Sequence, residues 1–78
     1  MYHPIPEPVQ ASQKKTVKAL REQYGWKQWQ LAVKAGVSQR VLSQIEANDK
    51  PVSRIIAAKI AIALGIPLDC LLIAIIRQ

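Results

Sequence analysis

The segment Gln28–Ala47, QWQLAVKAGVSQRVLSQIEA, decides the fold of this chain. Its first part, Gln28–Ala35, has the apolar spacing of a short helix, and Gly36 can adopt the left-handed conformation that ends one. Ser38 is a favourable N-cap, and a second helix is expected to run from it to about Ala47. Two short helices with apolar inner faces and so brief a connection predict a helix-turn-helix.

The sequence on either side predicts three further helices and a compact all-α fold. They are expected from Ser12 to Gly25, with Tyr24 on the buried stripe, and over residues 53–64 and 68–72. Residues 1–11 contain three prolines and are expected to form an extended arm. The predicted organisation is therefore an arm (1–11), a five-helix domain (12–72) and an apolar tail (73–78) that is either helix or strand.

The net charge of +6 indicates a polyanionic partner, and solubility alone is the competing explanation. The position of the charges favours a partner, because most of the basic residues fall in the central stretch around the predicted helix-turn-helix. They are Lys14, Lys15, Lys18, Arg21, Lys27, Lys34, Arg40, Lys50, Arg54 and Lys59.

The sequence lacks the signatures of several other classes of protein. A single Cys and a single His make neither a disulfide nor a metal site, so no cofactor is expected. No nucleophile–base pair and no phosphate-binding loop point to an enzyme. The apolar C-terminal third is interrupted by Lys59, Gly65, Pro67 and Asp69, and no secretory signal is visible. We therefore expect a cytoplasmic, nucleoid-associated protein that does not bind membranes.

The stretch Leu20–Leu72 resembles the lambdoid-repressor and Cro-like helix-turn-helix family of DNA-binding proteins. The resemblance covers most of the chain and rests on the turn, the helix caps and the downstream helices together. The matching residues are Arg21, Gly25, Gln28, Leu31, Ala32, Gly36, Val37, Ser38, Leu42, Ile45, Glu46, Ser53, Ala63, Leu64, Gly65, Ile66, Leu68 and Asp69.

The resemblance implies that the third helix enters the major groove of double-stranded DNA. Its exposed N-terminal face would then carry the base-reading residues Gln39, Arg40, Ser43 and Gln44. Their chemistry suits the task, because Gln can pair with adenine and Arg with guanine through two hydrogen bonds. On an isolated helix the same residues would be an ordinary solvated face.

The resemblance also implies contacts outside the reading helix. Gln28 at the start of the second helix is expected to bind a phosphate, and Lys27, Lys50 and Arg54 are further phosphate candidates. At the position of Lys27 the family has a Ser or Thr that caps the second helix. In this sequence a positively charged side chain replaces that cap. Trp26 occupies an apolar position of the family and is expected in the core, whereas the role of Trp29 stays open.

Two further features concern stability and assembly. Arg21 and Glu46 match a family ion pair that ties the first helix to the end of the third, with two unrelated surface charges as the alternative. The fourth helix and the tail carry more apolar residues than so small a domain needs, which predicts a homodimer. The tail could instead fold back over its own core. The expected interface comprises Ile55, Ile62, Leu71, Ile73, Ile75 and Ile76.

These features favour a transcriptional regulator, with repression of a bacterial or phage gene as the leading interpretation. A homodimer would place two reading helices on one DNA face and demand a near-palindromic operator. One alternative is an antitoxin that binds a toxin and its own promoter. Another is a protein-interaction module that has lost DNA binding, which the charge and the polar face of the third helix disfavour.

Overall fold

The computed structural model describes residues 14–47 and 50–76, and it shows a mostly helical domain closed by a small parallel sheet. The described elements are β1 (Lys15–Thr16), α1 (Val17–Gln23), α2 (Gln28–Ala35), α3 (Gln39–Glu46), α4 (Arg54–Leu64), a 3₁₀ turn (Leu68–Cys70) and β2 (Leu71–Leu72). The proposed arm, residues 1–11, lies outside the described residues.

The predicted limits of α2, α3 and α4 are confirmed, because local signals set them. Gly36 has a φ of 71° and ends α2, and Gly65 with a φ of 72° ends α4 in the same way. Ser38 Oγ accepts a hydrogen bond from the Val41 backbone N–H at 3.1 Å, and Ser53 caps α4 equivalently. These caps satisfy backbone groups that a helix end would otherwise leave without partners.

The core lies where α2 packs against α3 and α4. Leu31, Leu42 and Ile60, one from each of these helices, are fully buried. Ala32 is also buried, and its small side chain allows the helices to approach closely at that point. Each helix therefore buries one side against the others and leaves the opposite side exposed.

The first helix begins later than predicted, at Val17 rather than at Ser12. Thr16 is its N-cap, and the Thr16 hydroxyl accepts a hydrogen bond from the Ala19 backbone N–H at 3.1 Å. Lys15 and Thr16 are extended because they pair in parallel with Leu71 and Leu72. Ser12 itself lies outside the described residues.

The prediction of five α-helices was wrong: the described residues contain four, and the expected fifth is a single 3₁₀ turn followed by a strand. Pro67 precedes this turn, which the hydrogen bond from Cys70 N–H to Pro67 carbonyl closes at 3.0 Å. Beyond it the chain is extended, so that Leu71 points into the core while Leu72 is exposed. This alternation is the pattern of a strand and explains why the helix stops.

The tail continues extended and folds back along its own chain. The Val52 N–H donates to the Ala74 carbonyl at 2.9 Å, and the Ile76 N–H donates to the Val52 carbonyl at 2.8 Å. Leu71 is only 2% exposed, and Ile73 packs against the core. Both residues therefore pack within their own domain, and Leu71 has almost no exposed surface left for a contact between chains.

A partly buried ion pair joins α1 to the end of α3. Arg21 Nε donates to Glu46 Oε2 at 2.7 Å, and Arg21 Nη2 donates to Glu46 Oε1 at 3.0 Å. Arg21 Nη1 donates to the Trp26 carbonyl at 2.8 Å. The two side chains are 13% and 6% exposed, and the hydrogen bond with Glu46 raises the pKa of Arg21 above its ordinary value.

We predict that Glu46→Gln lowers the free energy of unfolding by about 3 kcal/mol, because it leaves the Arg21 charge without a counter-ion in a mostly buried place. The melting temperature should fall by at least about 10 °C. The matched control is Glu22→Gln, the same chemical change at an exposed position of α1, which should cost less than about 1 kcal/mol. Equal melting temperatures for the two variants would contradict the prediction.

Candidate nucleic-acid interface

The outward side of α3 presents a polar surface at its N-terminal end. Gln39, Arg40 and Ser43 are exposed, as a base-reading role requires. Gln44 is half-buried in its own domain, so less of its side chain is accessible than the sequence predicted. On the opposite side, Leu42 belongs to the core and holds the helix in place.

Gln28 and Gln39 lie side by side, although eleven residues separate them in the chain. Gln39 Nε2 donates to Gln28 Oε1 at 3.3 Å, and Gln28 Nε2 donates to Glu46 Oε1 at 3.3 Å. The structure thus brings a proposed phosphate ligand and a proposed base reader together. It also connects both of them to the Arg21–Glu46 pair.

The start of α2 has a positive electrostatic character. Lys27 is exposed and its side chain makes no capping hydrogen bond, but its backbone N–H donates to Gln30 Oε1 at 2.7 Å. The first turn of α2 contains no acidic residue. The positive end of the helix dipole and the Lys27 charge therefore act in the same direction.

Three other predicted contact residues are exposed cations. Arg40 lies in the first turn of α3, Lys50 lies in the connection that follows α3, and Arg54 is the first residue of α4. Within residues 14–47 and 50–76, none of them has a carboxylate partner at salt-bridge distance. No hydrogen bond between described residues connects them to the Gln28–Gln39 pair.

Aromatic contacts beside α2 were not anticipated. Tyr24 was predicted in the buried stripe of α1, but it is 38% exposed and its hydroxyl donates to the Leu64 carbonyl at 2.8 Å. Trp26 packs against the core, edge-on to Tyr24, and Lys34 Nζ lies 4.9 Å from the centre of its ring. Trp29 is half exposed. Only the apolar spacing of Tyr24 was visible in sequence, and that spacing does not reveal a partner on α4.

No cluster of metal-ligating side chains occurs among the described residues. A groove of about 350 Å³ is lined on one side by Thr16, Lys18 and Ile45 and on the other by the tail. It contains no His or Cys. None of the helices in the described part of the chain is long and apolar enough to cross a membrane.

Comparison with known families agrees with this geometry. A helix-turn-helix family model matches residues 17–69, which is more than half of the chain and includes every described α-helix. No curated protein matches the sequence significantly. The chain therefore belongs to the Cro- and repressor-like helix-turn-helix family of DNA-binding regulators.

Proposed function

We propose that this protein is a sequence-specific transcriptional regulator that reads the major groove of double-stranded DNA with α3. The observation that carries the proposal is the exposed face of α3, where Gln39 and Arg40 project from a helix anchored by Leu42 and Ile45. A rigidly held helix with polar residues near its N-terminus is what base reading in the major groove requires.

The side chains of α3 can distinguish bases. Arg40 can donate two hydrogen bonds to the O6 and N7 acceptors of guanine. Gln39 can accept from the amino group of adenine and donate to its N7. Ser43 and Gln44 lie further along the helix and complete the proposed reading face, with Gln44 contributing its exposed part.

Contacts to phosphates would position α3 without carrying sequence information. Lys27 and Gln28, which stand at the start of α2, would bind one phosphate together. Lys50 and Arg54 follow α3 in the chain and would bind DNA phosphates beyond the C-terminal end of α3. We favour repression over activation, because a regulator that occupies its operator blocks access to the DNA without a second contact surface.

We also propose that the protein acts as a homodimer. Ile55 and Ile62, seven residues apart on one face of α4, are 70% and 78% exposed. Ile76 is exposed, and its hydrogen bond to Val52 holds it near the start of α4. Burial of this face would bring two reading helices to a separation of about 34 Å on a near-palindromic operator. In an antitoxin the same isoleucines would instead contact the toxin.

The first prediction is specific duplex binding that weakens steeply with salt. With about four to six phosphates neutralised per subunit, the slope of log K against log salt should be about −4 to −5 per subunit. An operator selected from random duplexes and titrated by fluorescence anisotropy provides the measurement, and a scrambled duplex of equal length is the control. Equal affinity for both duplexes would refute sequence-specific binding.

The second prediction separates base reading from phosphate binding. Arg40→Ala should cost about 1–3 kcal/mol on the selected operator and relax the preference at one base position. Lys50→Ala should weaken binding to all sequences alike, because a phosphate contact is independent of sequence. Binding measured on a set of singly substituted operators distinguishes the two. An unchanged preference in Arg40→Ala would place the reading surface elsewhere.

The third prediction concerns assembly. Ile62→Asp should convert a dimer into a monomer in analytical ultracentrifugation, because it buries a charge in an apolar interface. Val33→Asp is the matched control, since Val33 is 72% exposed on α2, outside the proposed face. A wild-type protein that stays monomeric at tens of micromolar, and still binds one operator half, would exclude this dimer.

A further inference from the structure

We propose that the exposed face of α4 fits an amphipathic helix of a different protein, one that carries a carboxylate between two apolar residues, better than it fits a second copy of this chain. The face consists of Ile55, Lys59 and Ile62, and we call it the α4 face. The inference deepens the proposed assembly through α4 and rests on it. Lys59, the single charge between the two isoleucines, decides which partner fits.

Lys59 lies near the middle of the α4 face. It follows Ile55 by four residues and precedes Ile62 by three, which places the three side chains on one side of the helix. All three are exposed, and α4 contains no acidic residue. No carboxylate of a residue that the structure describes lies at salt-bridge distance from Lys59. The face therefore presents one positive charge flanked by apolar side chains.

A second copy meets this face with the wrong charge. A two-fold dimer uses the same surface on both subunits. If the two α4 helices run parallel, each isoleucine faces its own counterpart and Lys59 faces Lys59. If they run antiparallel, Ile55 faces Ile62, and the two Lys59 side chains again meet close to the axis. Either pairing of the isoleucines thus brings two ammonium groups together, and like charges at an interface oppose association.

An acidic partner removes this conflict. The flexible stem of Lys59 lets its ammonium bend towards water, so the repulsion weakens a homodimer without preventing it. A carboxylate at the corresponding place of another helix would instead attract Lys59, while its apolar neighbours would cover Ile55 and Ile62. The net charge of +6 acts in the same direction, because it favours encounters with acidic proteins.

Lys59→Glu supplies the chemistry of this partner on the same scaffold. Its α4 face carries a carboxylate between the two isoleucines, so a mixture with the wild-type protein tests the proposed complementarity. The mixed dimer should have a Kd at least about tenfold lower than that of either homodimer. Analytical ultracentrifugation of mixtures with one fluorescently labelled component measures all three Kd values. Since Lys59 is exposed, the substitution leaves the core unchanged.

Lys18→Glu is the matched control, because it makes the same change of charge at an exposed position of α1, outside the α4 face. Its mixture with wild type should have a Kd within about threefold of the wild-type homodimer. Salt gives a second measurement: it should tighten the wild-type homodimer, where it screens repulsion, and loosen the Lys59→Glu mixed dimer. A Lys18→Glu mixture as tight as the Lys59→Glu mixture would attribute the effect to net charge and overturn the inference.

Lys59→Gln tests the same charge if Lys59→Glu does not fold. It removes the repulsion without supplying a carboxylate, so the Kd of its homodimer should be about threefold or more below that of wild type. A Lys59→Gln homodimer no tighter than wild type would show that Lys59 does not oppose self-association, which overturns the inference.

These outcomes are distinguishable from those of the proposed function. None of the mixtures contains DNA, so specific operator binding stands or falls on its own titration. A wild-type homodimer as tight as the mixed dimer would overturn this inference and leave the homodimer intact. Wild-type chains that stay monomeric while the mixed dimer forms would support the acidic partner and overturn the homodimer, and the absence of both assemblies would overturn both.

Discussion

The structure depends on the contact between Arg21 and Glu46. A guanidinium and a carboxylate that are mostly removed from water are tolerable only when each satisfies the other, and here two parallel hydrogen bonds do so. Because one partner lies on α1 and the other at the end of α3, the pair sets the distance between these helices. The α3 helix is thereby held from its C-terminal end, while the Ser38 cap defines its start.

The same carboxylate is also linked by hydrogen bonds to the outward side of α3. Gln28 donates to Glu46 and accepts from Gln39, so hydrogen bonds connect the ion pair to the first residue of α3. The Gln28–Glu46 contact is partly buried, where polar groups interact more strongly than in water, whereas the Gln28–Gln39 contact is exposed. The stability of the domain and the arrangement of these side chains are therefore not independent properties.

The parallel pairing of β1 with β2 determines how much apolar surface of the domain remains exposed to solvent. It draws Leu71 into the core, and the Val52–Ile75 bridge directs the rest of the tail along its own domain. Much of the apolar run that suggested an interface is consequently used to cover the core. Ile55 and Ile62 on α4 remain exposed, and these two residues carry the argument for a partner.

The sequence by itself determined the helix-turn-helix and the ends of α2, α3 and α4. Those ends depend on Gly36, Gly65, Ser38 and Ser53, whose effects act over three or four residues and need no distant partner. It also predicted that Gln39, Arg40 and Ser43 are exposed, because the helical period places them away from Leu42 and Ile45.

Only the tertiary structure decided which residues from distant parts of the chain contact one another. The first helix α1 begins only at Val17 because Lys15 and Thr16 pair with Leu71 and Leu72, and the expected last helix ends in a strand for the same reason. The alignment of Gln28 with Gln39 likewise appears only once α2 and α3 are packed. Such contacts depend on the relative placement of whole elements, which helical periodicity and local caps do not specify.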